Sequence, residues 1–241
     1  MKAVILAAGV GKRFGKRTQT LPKCLIPLGD TGENLLQRAF GSFRKTGLKN
    51  VVIVCGHLRE KIKEECRKSG KGLRIRFIEN PDYRRGSILS LHKASKELSA
   101  GVLIMDADVY FPAEALGKLL ASPKRSAFLL DAASKSSGEE MMVMAKKGRL
   151  VSISKRVDPS LEIVGEATGI VKLAKPDALL LKTILGDFVK EGRVDAEYEE
   201  AYARLMRRRK MGYETMDGFF WSEMDFEEDL RKILRRSTDV S

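Results

Sequence analysis

The sequence predicts an α/β fold: a mixed, mostly parallel sheet with helices on both faces. Three observations carry the prediction. The aliphatic runs KAVILAA at 2–8, VVIVC at 51–55 and VLIM at 102–105 are continuous rather than alternating, as in strands covered on both sides. Between them lie segments in which apolar residues recur at helical spacing, giving a βαβαβαβ rhythm. With 241 residues, 43% of them hydrophobic, the chain is also long enough to bury a sizeable core.

The elements follow in order. The run at 2–8 is a strand ending at Gly9, which opens a loop. Leu35, Leu36, Ala39, Phe40 and Phe43 mark a helix that stops near Gly47, and 51–55 is the second strand. A charged helix at 59–68, a strand at 73–78, a helix at 87–98 and a strand at 102–105 complete the parallel half, whose crossovers should be right-handed. After Asp131 the pattern changes: 141–144 and 150–153 flank the turn Lys146-Lys147-Gly148-Arg149 as a hairpin, and 167–173 is a further strand. Helices follow at 177–190, 196–209 and 226–236. No Pro- or Ser-rich linker and no repeat interrupts the chain, so 1–241 is expected to be one domain, with a first half to about residue 130 and a second at about 131–241.

Composition narrows the class. No apolar run approaches the roughly 20 residues of a membrane span, and the N-terminal run is too short for a signal-peptide core, so a cytoplasmic protein is expected. Cys24, Cys55 and Cys66 have no CxxC spacing, which argues against a disulfide framework or a zinc site. Lys and Arg number 45 against 32 Asp and Glu, a formal charge of +13 that suits either a polyanionic partner or a solvated basic surface. Only two Gln and three Asn occur, a scarcity that fits a heat-adapted protein.

The segment LAAGVGKRFG at 6–15 directly follows the first strand. Glycines at 9, 11 and 15 let the backbone turn back and approach a ligand, and the N–H groups of such a loop can form an anion site beside Lys12 and Arg13. The spacing is neither GxGxxG nor GxxxxGK[ST], and a purely structural turn stays open. The strand at 102–105 leads into Asp106-Ala107-Asp108, carboxylates at the end of a parallel strand, where open α/β sheets bind ligands. Hard oxygen donors there suit Mg²⁺ held partly through substrate phosphates; capping of a following helix is the other role open to them.

Taken with LPKCLIPLG at 21–29, the glycine loop resembles the signature of the nucleotidyltransferases that join a nucleoside triphosphate to a phosphorylated small molecule. The resemblance implies a Rossmann-like nucleotidyltransferase fold, with Leu6, Ala7, Ala8, Gly9, Gly11 and Lys12 around the nucleotide and Arg13 and Lys23 neutralising its phosphates. Asp108 aligns with the family's metal-binding aspartate, with Asp106 as its nucleotide-side neighbour. The segment WSEMD at 221–225 resembles the one through which phosphocholine-type and inositol-phosphate-type cytidylyltransferases supply a second carboxylate, here Asp225. Arg13, Lys23, Asp108 and Asp225 are thus the implied catalytic set, and Asp108 and Asp225 the implied Mg²⁺ ligands.

Further stretches resemble the same subgroup. ENPDY at 79–83 with Ser90 implies base contacts from Asn80 and Ser90, and Asp131, Lys155 and Glu166, the last within GEATGI, imply acceptor contacts. Where many relatives carry paired asparagines, this chain has Arg84-Arg85. The acceptor's own phosphate is the nucleophile in such enzymes, so His57 and His92, each expected in a helix, have no catalytic role. The implied partners are CTP and a phosphorylated small-molecule acceptor, with Mg²⁺ as cofactor, and the chain is expected to be a monomer or homodimer.

Few aromatic residues, 7% with a single Trp, argue against the aromatic cage that suits choline. Taken with the amide-poor composition, the resemblance to inositol-phosphate cytidylyltransferases, which serve heat-loving organisms, implies inositol 1-phosphate by analogy, with phosphocholine, aminoethylphosphonate and sugar 1-phosphates as alternatives. A reading from another class is a nucleic-acid-binding protein using Arg204, Arg207, Arg208, Arg209 and Lys210 with Arg231, Arg235 and Arg236, but no nucleic-acid partner is expected because basic and aromatic residues are not interleaved.

Overall fold

The computed structural model describes residues 1–29 and 32–238. Its strands, in chain order, are β1 (Lys2–Ala7), β2 (Asn50–Cys55), β3 (Arg74–Glu79), β4 (Val102–Asp106), β5 (Val109–Tyr110), β6 (Ala127–Asp131), β7 (Met142–Lys146), β8 (Arg149–Ser154), β9 (Glu162–Leu173), β10 (Gly212–Thr215) and β11 (Ser222–Glu223). The α-helices are α1 (Leu35–Lys45), α2 (Arg59–Ser69), α3 (Ser87–Lys93), α4 (Ala113–Ala121), α5 (Lys175–Lys190), α6 (Tyr198–Arg208) and α7 (Glu227–Thr238).

The main sheet runs β10-β6-β9-β4-β1-β2-β3. Along that path only β9 is reversed, pairing antiparallel with both β4 and β6, and the β7–β8 hairpin hangs from its first half. This is the mixed, mostly parallel sheet expected. Strand alternation divides the interior into two layers. Ala3, Ile5 and Ala7 of β1 face a core shared with α1, α2, α4 and α7, and Val4 faces a core shared with α3, α5 and α6. β1 and β4 lie side by side at the centre, so the glycine loop and the Asp106-Ala107-Asp108 turn leave the sheet at one carboxyl edge.

Several segments differ from expectation. Helix α4 and strands β6 and β10 were not marked as elements by periodicity: α4 is short, and β6 adjoins a register shift. The helix expected at 87–98 ends as α3 at Lys93 and continues only as a 3-10 turn over Ala94–Glu97. His57 lies in the turn before α2, not in a helix, and its Nε2 donates to the Thr18 carbonyl at 2.7 Å. Thr18 Oγ1 in turn meets the carbonyls of Gly11 (2.9 Å) and Gly15 (3.0 Å). That buried hydroxyl ties down a loop whose glycines need positive φ, 67° at Gly11 and 79° at Gly15. Cys24, Cys55 and Cys66 are separate buried thiols, and no described helix is long and apolar enough to cross a membrane.

Candidate active site

A cavity of about 490 Å³ opens at the carboxyl ends of β1 and β4. The glycine loop forms one wall. Leu6, Ala8, Gly9, Gly11, Lys12 and Arg13 all border it, whereas Ala7 does not. The reason is alternation: Ala7 turns into the core with Ala3 and Ile5, and Leu6 turns to the opposite layer.

Loop and C-terminal segment meet across this mouth. The two-stranded ribbon of β5 and β11 pairs Tyr110 with Ser222 and Val109 with Glu223, and the Met224 N–H donates to the Asp108 carbonyl at 2.9 Å. Asp229, at the start of α7, accepts through Oδ2 from the N–H groups of Asp225 (3.1 Å) and Phe226 (2.9 Å). These bonds hold Asp225 opposite Asp108. Carboxylate oxygens of Asp108, Glu223 and Asp225 all lie within 4.8 Å of one another.

Two cations sit among these acids. Lys23, on a 3-10 turn over Lys23–Leu25, places Nζ 2.7 Å from Asp225 Oδ1 and also in contact with Asp108. Burial opposes its charge, but the two carboxylates outweigh burial and hold its pKa above the usual lysine range. Arg13 reaches Asp225 Oδ2 and lies 5.3 Å from the centre of the Phe226 ring. Glu223 behaves oppositely: burial and the charges of Asp108 and Asp225 push its pKa up to about 8. Glu223 lies within the WSEMD segment, whose resemblance implies a role for Asp225 alone. Its two-residue offset from Asp225 in an extended segment is the signal that places both on one side. Three carboxylates and no sulfur or imidazole form a hard donor set that fits Mg²⁺.

Asp106 is deeper. It closes β4, and the Tyr198 hydroxyl donates to its Oδ2. A side chain at Gly169 would put its Cβ 2.5 Å from that same oxygen, so the bend of β9 at φ 71° makes the space in which Asp106 sits. Burial, then repulsion from Asp108 and Glu199, raises the Asp106 pKa well above the carboxylate norm. Ser90 borders the cavity, but Asn80 does not. Asn80 is 1% exposed, donates to Ser90 Oγ at 3.0 Å and accepts from the Asp82 N–H at 3.0 Å, so both ends of its amide are committed to the loop before α3.

Of the residues expected to meet an acceptor, Lys155 and Glu166 border the cavity. Lys155 Nζ lies 3.1 Å from Glu139, and Glu166 accepts from Ser134 Oγ at 2.5 Å. Asp131 lies outside the wall because its carboxylate is taken up by the Trp221 indole N–H (2.8 Å) and the Ala133 N–H (2.9 Å). Arg84 and Arg85 both border the cavity but are engaged differently: Arg85 forms a two-pronged ion pair with Asp195 (2.9 and 2.7 Å), while Arg84 lies over Tyr83. Sequence reasoning missed Tyr198, Glu199 and Tyr202 of α6, which form a further wall. Nothing local distinguished them from ordinary helix residues.

The family model described as a MobA-like NTP transferase domain matches residues 3–175. A CMP-5'-(3-aminopropyl)phosphonate synthase from Streptomyces rubellomurinus is 34% identical over 53% of this chain, which spans only 20% of that protein. The choline-phosphate cytidylyltransferase of Haemophilus influenzae is 25% identical over 99% of this chain and 98% of its own. A bifunctional IPC transferase and DIPP synthase from Rubrobacter xylanophilus is 28% identical over 73% of this chain and 43% of its own length. Among solved structures, the inositol-1-phosphate CTP transferase from T. maritima superposes with a TM-score of 0.77 at 19% identity, covering 97% of this chain and 94% of that one. That likeness establishes the fold.

Proposed function

The chain belongs to the MobA-like NTP transferase domain family, and from that premise we propose that it is a Mg²⁺-dependent cytidylyltransferase. It moves CMP from CTP to a phosphorylated small alcohol, yielding a CDP-alcohol and pyrophosphate. One observation carries this reading: Lys23 and Arg13 converge with Asp108, Glu223 and Asp225 beside a glycine loop at the mouth of a single cavity.

An oxygen of the acceptor phosphate attacks the α-phosphorus of CTP; the new P–O bond forms as the bond to the β-phosphate bridging oxygen breaks, and pyrophosphate leaves. No protein nucleophile is needed. The chain's part is to position and to stabilise charge. The loop at 9–12, which borders the cavity, is assigned to the triphosphate, and Lys23 and Arg13 would offset the charge that gathers on the α-phosphate and the leaving group. Asp108, Asp225 and Glu223 are the residues that would hold Mg²⁺, which when bound neutralises phosphate oxygens. Ser90, Arg84 and Asp106 border the cavity and are assigned to the nucleotide, and Lys155, on the same cavity, to the acceptor phosphate.

The cytidylyltransferase names of relatives support CTP as donor. Inositol 1-phosphate, the acceptor implied by the resemblance and the composition, is also the substrate named for the T. maritima structure. A second reading, an amine-bearing acceptor, is named for the Streptomyces and Haemophilus relatives and is favoured by the carboxylates and tyrosines of the α6 wall. Four nucleoside triphosphates tested against inositol 1-phosphate, phosphocholine, 2-aminoethylphosphonate and hexose 1-phosphates, with pyrophosphate release as readout, test the assignment. Release with CTP alone is expected, and equal release with all four nucleotides would remove the cytidine specificity. Wild-type release by both Asp108→Ala and Asp225→Ala would remove the metal assignment.

A further inference from the structure

We propose that the α6 wall of the cavity is an ammonium subsite, in which Glu199, flanked by Asp106, Tyr198 and Tyr202, selects an acceptor carrying a primary ammonium group at the end opposite its phosphate or phosphonate. The inference rests on the transferase reading above and names its acceptor class.

The central observation is an oxygen without a partner. Glu199 borders the cavity from the first turn of α6, and its Oε2 is buried with no hydrogen-bond donor. Leaving a buried acceptor unmet is costly, more so when it carries charge, and such groups in a cavity wall are met by what the cavity binds. The neighbouring acids are met by neutral hydroxyls: Asp106 by Tyr198, Glu166 by Ser134 and Glu197 by Ser87. Two cations on the same cavity are already engaged, Lys155 Nζ by Glu139 at 3.1 Å and Arg85 by Asp195 at 2.9 and 2.7 Å. The protein thus supplies no donor to Glu199 Oε2. A ligand cation supplies one.

The aromatic residues suit the same guest. Tyr198 and Tyr202 meet edge to face at 5.3 Å, and Tyr202 and Phe128 at 5.5 Å, which puts π systems beside the carboxylates. A primary ammonium fits better than a trimethylammonium because Glu199 Oε2 lacks an N–H donor, which a quaternary nitrogen cannot offer. The indole that could have built a cage is committed to Asp131. Burial holds the Glu199 pKa up to about 7.

The test compares two acceptors that differ in one group, 2-aminoethylphosphonate and 2-hydroxyethylphosphonate, with inositol 1-phosphate and phosphocholine alongside. Pyrophosphate release with CTP and Mg²⁺ gives kcat/KM, and calorimetry gives the binding of each phosphonate. The wild-type protein should prefer the amine by about a hundredfold, a loss expected when a built polar site meets an analogue lacking its group. Glu199→Gln should shrink that ratio at least about tenfold, mainly through KM. A wild-type amine-to-hydroxyl ratio near one, or a ratio unchanged in Glu199→Gln, overturns the subsite. Release from inositol 1-phosphate but not from the amine overturns the subsite and leaves the transferase standing. No release from any nucleotide and acceptor overturns the transferase itself, and the subsite falls with it.

Discussion

Lys23 Nζ lies 2.7 Å from Asp225 Oδ1, joining the glycine-loop region to the last acidic motif of the chain. The same ammonium touches Asp108, so one buried cation holds apart two acids that would otherwise repel. Lys23 thus occupies the space between the expected metal ligands and is also the expected charge partner of the α-phosphate.

This double placement separates two effects of Lys23→Met. Turnover, read as pyrophosphate release, should fall by about 10² to 10³, the usual cost of removing one electrostatic stabiliser of a transition state. Binding of Mn²⁺ to the nucleotide-free protein, read by titration calorimetry, should tighten, because no ammonium competes for the Asp108 and Asp225 oxygens. Weaker Mn²⁺ binding in the variant would show that Lys23 supports the metal site rather than occupying it.

Chelation should abolish turnover, and Mg²⁺ should restore it. Glu223→Gln should raise the Mg²⁺ concentration needed for half-maximal rate by about 10-fold or more, on the scale of losing one ligand or its orienting partner. An unchanged requirement would remove Glu223 from the donor set.

Glu199 makes stability pH-dependent in a defined direction. Its folded pKa, about 7, lies above its unfolded value of 4.5, so the folded state favours the protonated acid. The resulting stabilisation is complete below pH 4.5 and is lost as pH rises through 7. Between pH 5 and pH 8 the wild-type protein should lose on the order of 3 kcal/mol more stability than Glu199→Gln, measured by urea unfolding without ligand. Equal losses in the two proteins would put the Glu199 pKa near its ordinary value.

Gly169 and Asp106 give a steric prediction. Gly169→Ala adds a Cβ 2.5 Å from Asp106 Oδ2 at a backbone φ of 71°, so both contact and strain oppose it. A loss of about 1–3 kcal/mol in unfolding free energy is expected. Turnover should drop as well, since Asp106 must shift.

Arg84 and Arg85 both border the cavity, but only Arg85 is tied up by a carboxylate, so the two should divide in kinetics. Arg84→Ala, which strips the unpaired cation of the two, should raise the KM for CTP several-fold. Arg85→Ala breaks an exposed pair with Asp195 and should change KM and stability little. The reverse pattern would assign the nucleotide contact to Arg85.

Much of this architecture was legible in the chain. The runs at 2–8, 51–55 and 102–105 are β1, β2 and β4 because a strand buried on both faces has no polar side to show, and that signal is local. The glycine loop and Asp108 stood out as a flexible turn and a carboxylate at strand ends, whereas Lys23 and Asp225 were singled out by the resemblance of LPKCLIPLG and WSEMD to nucleotidyltransferase segments. Short or interrupted elements such as α4 and β10 escaped because a turn or two of helix and four residues of edge strand carry little periodicity.

The sequence by itself determined the sheet's central strands, the loop that follows the first of them, and which acids and bases are of the type the chemistry needs. Only the tertiary structure decided what each group does. The amide of Asn80 and the carboxylate of Asp131 are engaged by Ser90 and Trp221 and lie off the cavity, while Glu223 and Glu199 border it, buried in the company of other acids. A residue's type is local, but its burial, hydrogen-bond partners and proton affinity are set by chain segments far away in sequence, and those exist only once the sheet has brought them together.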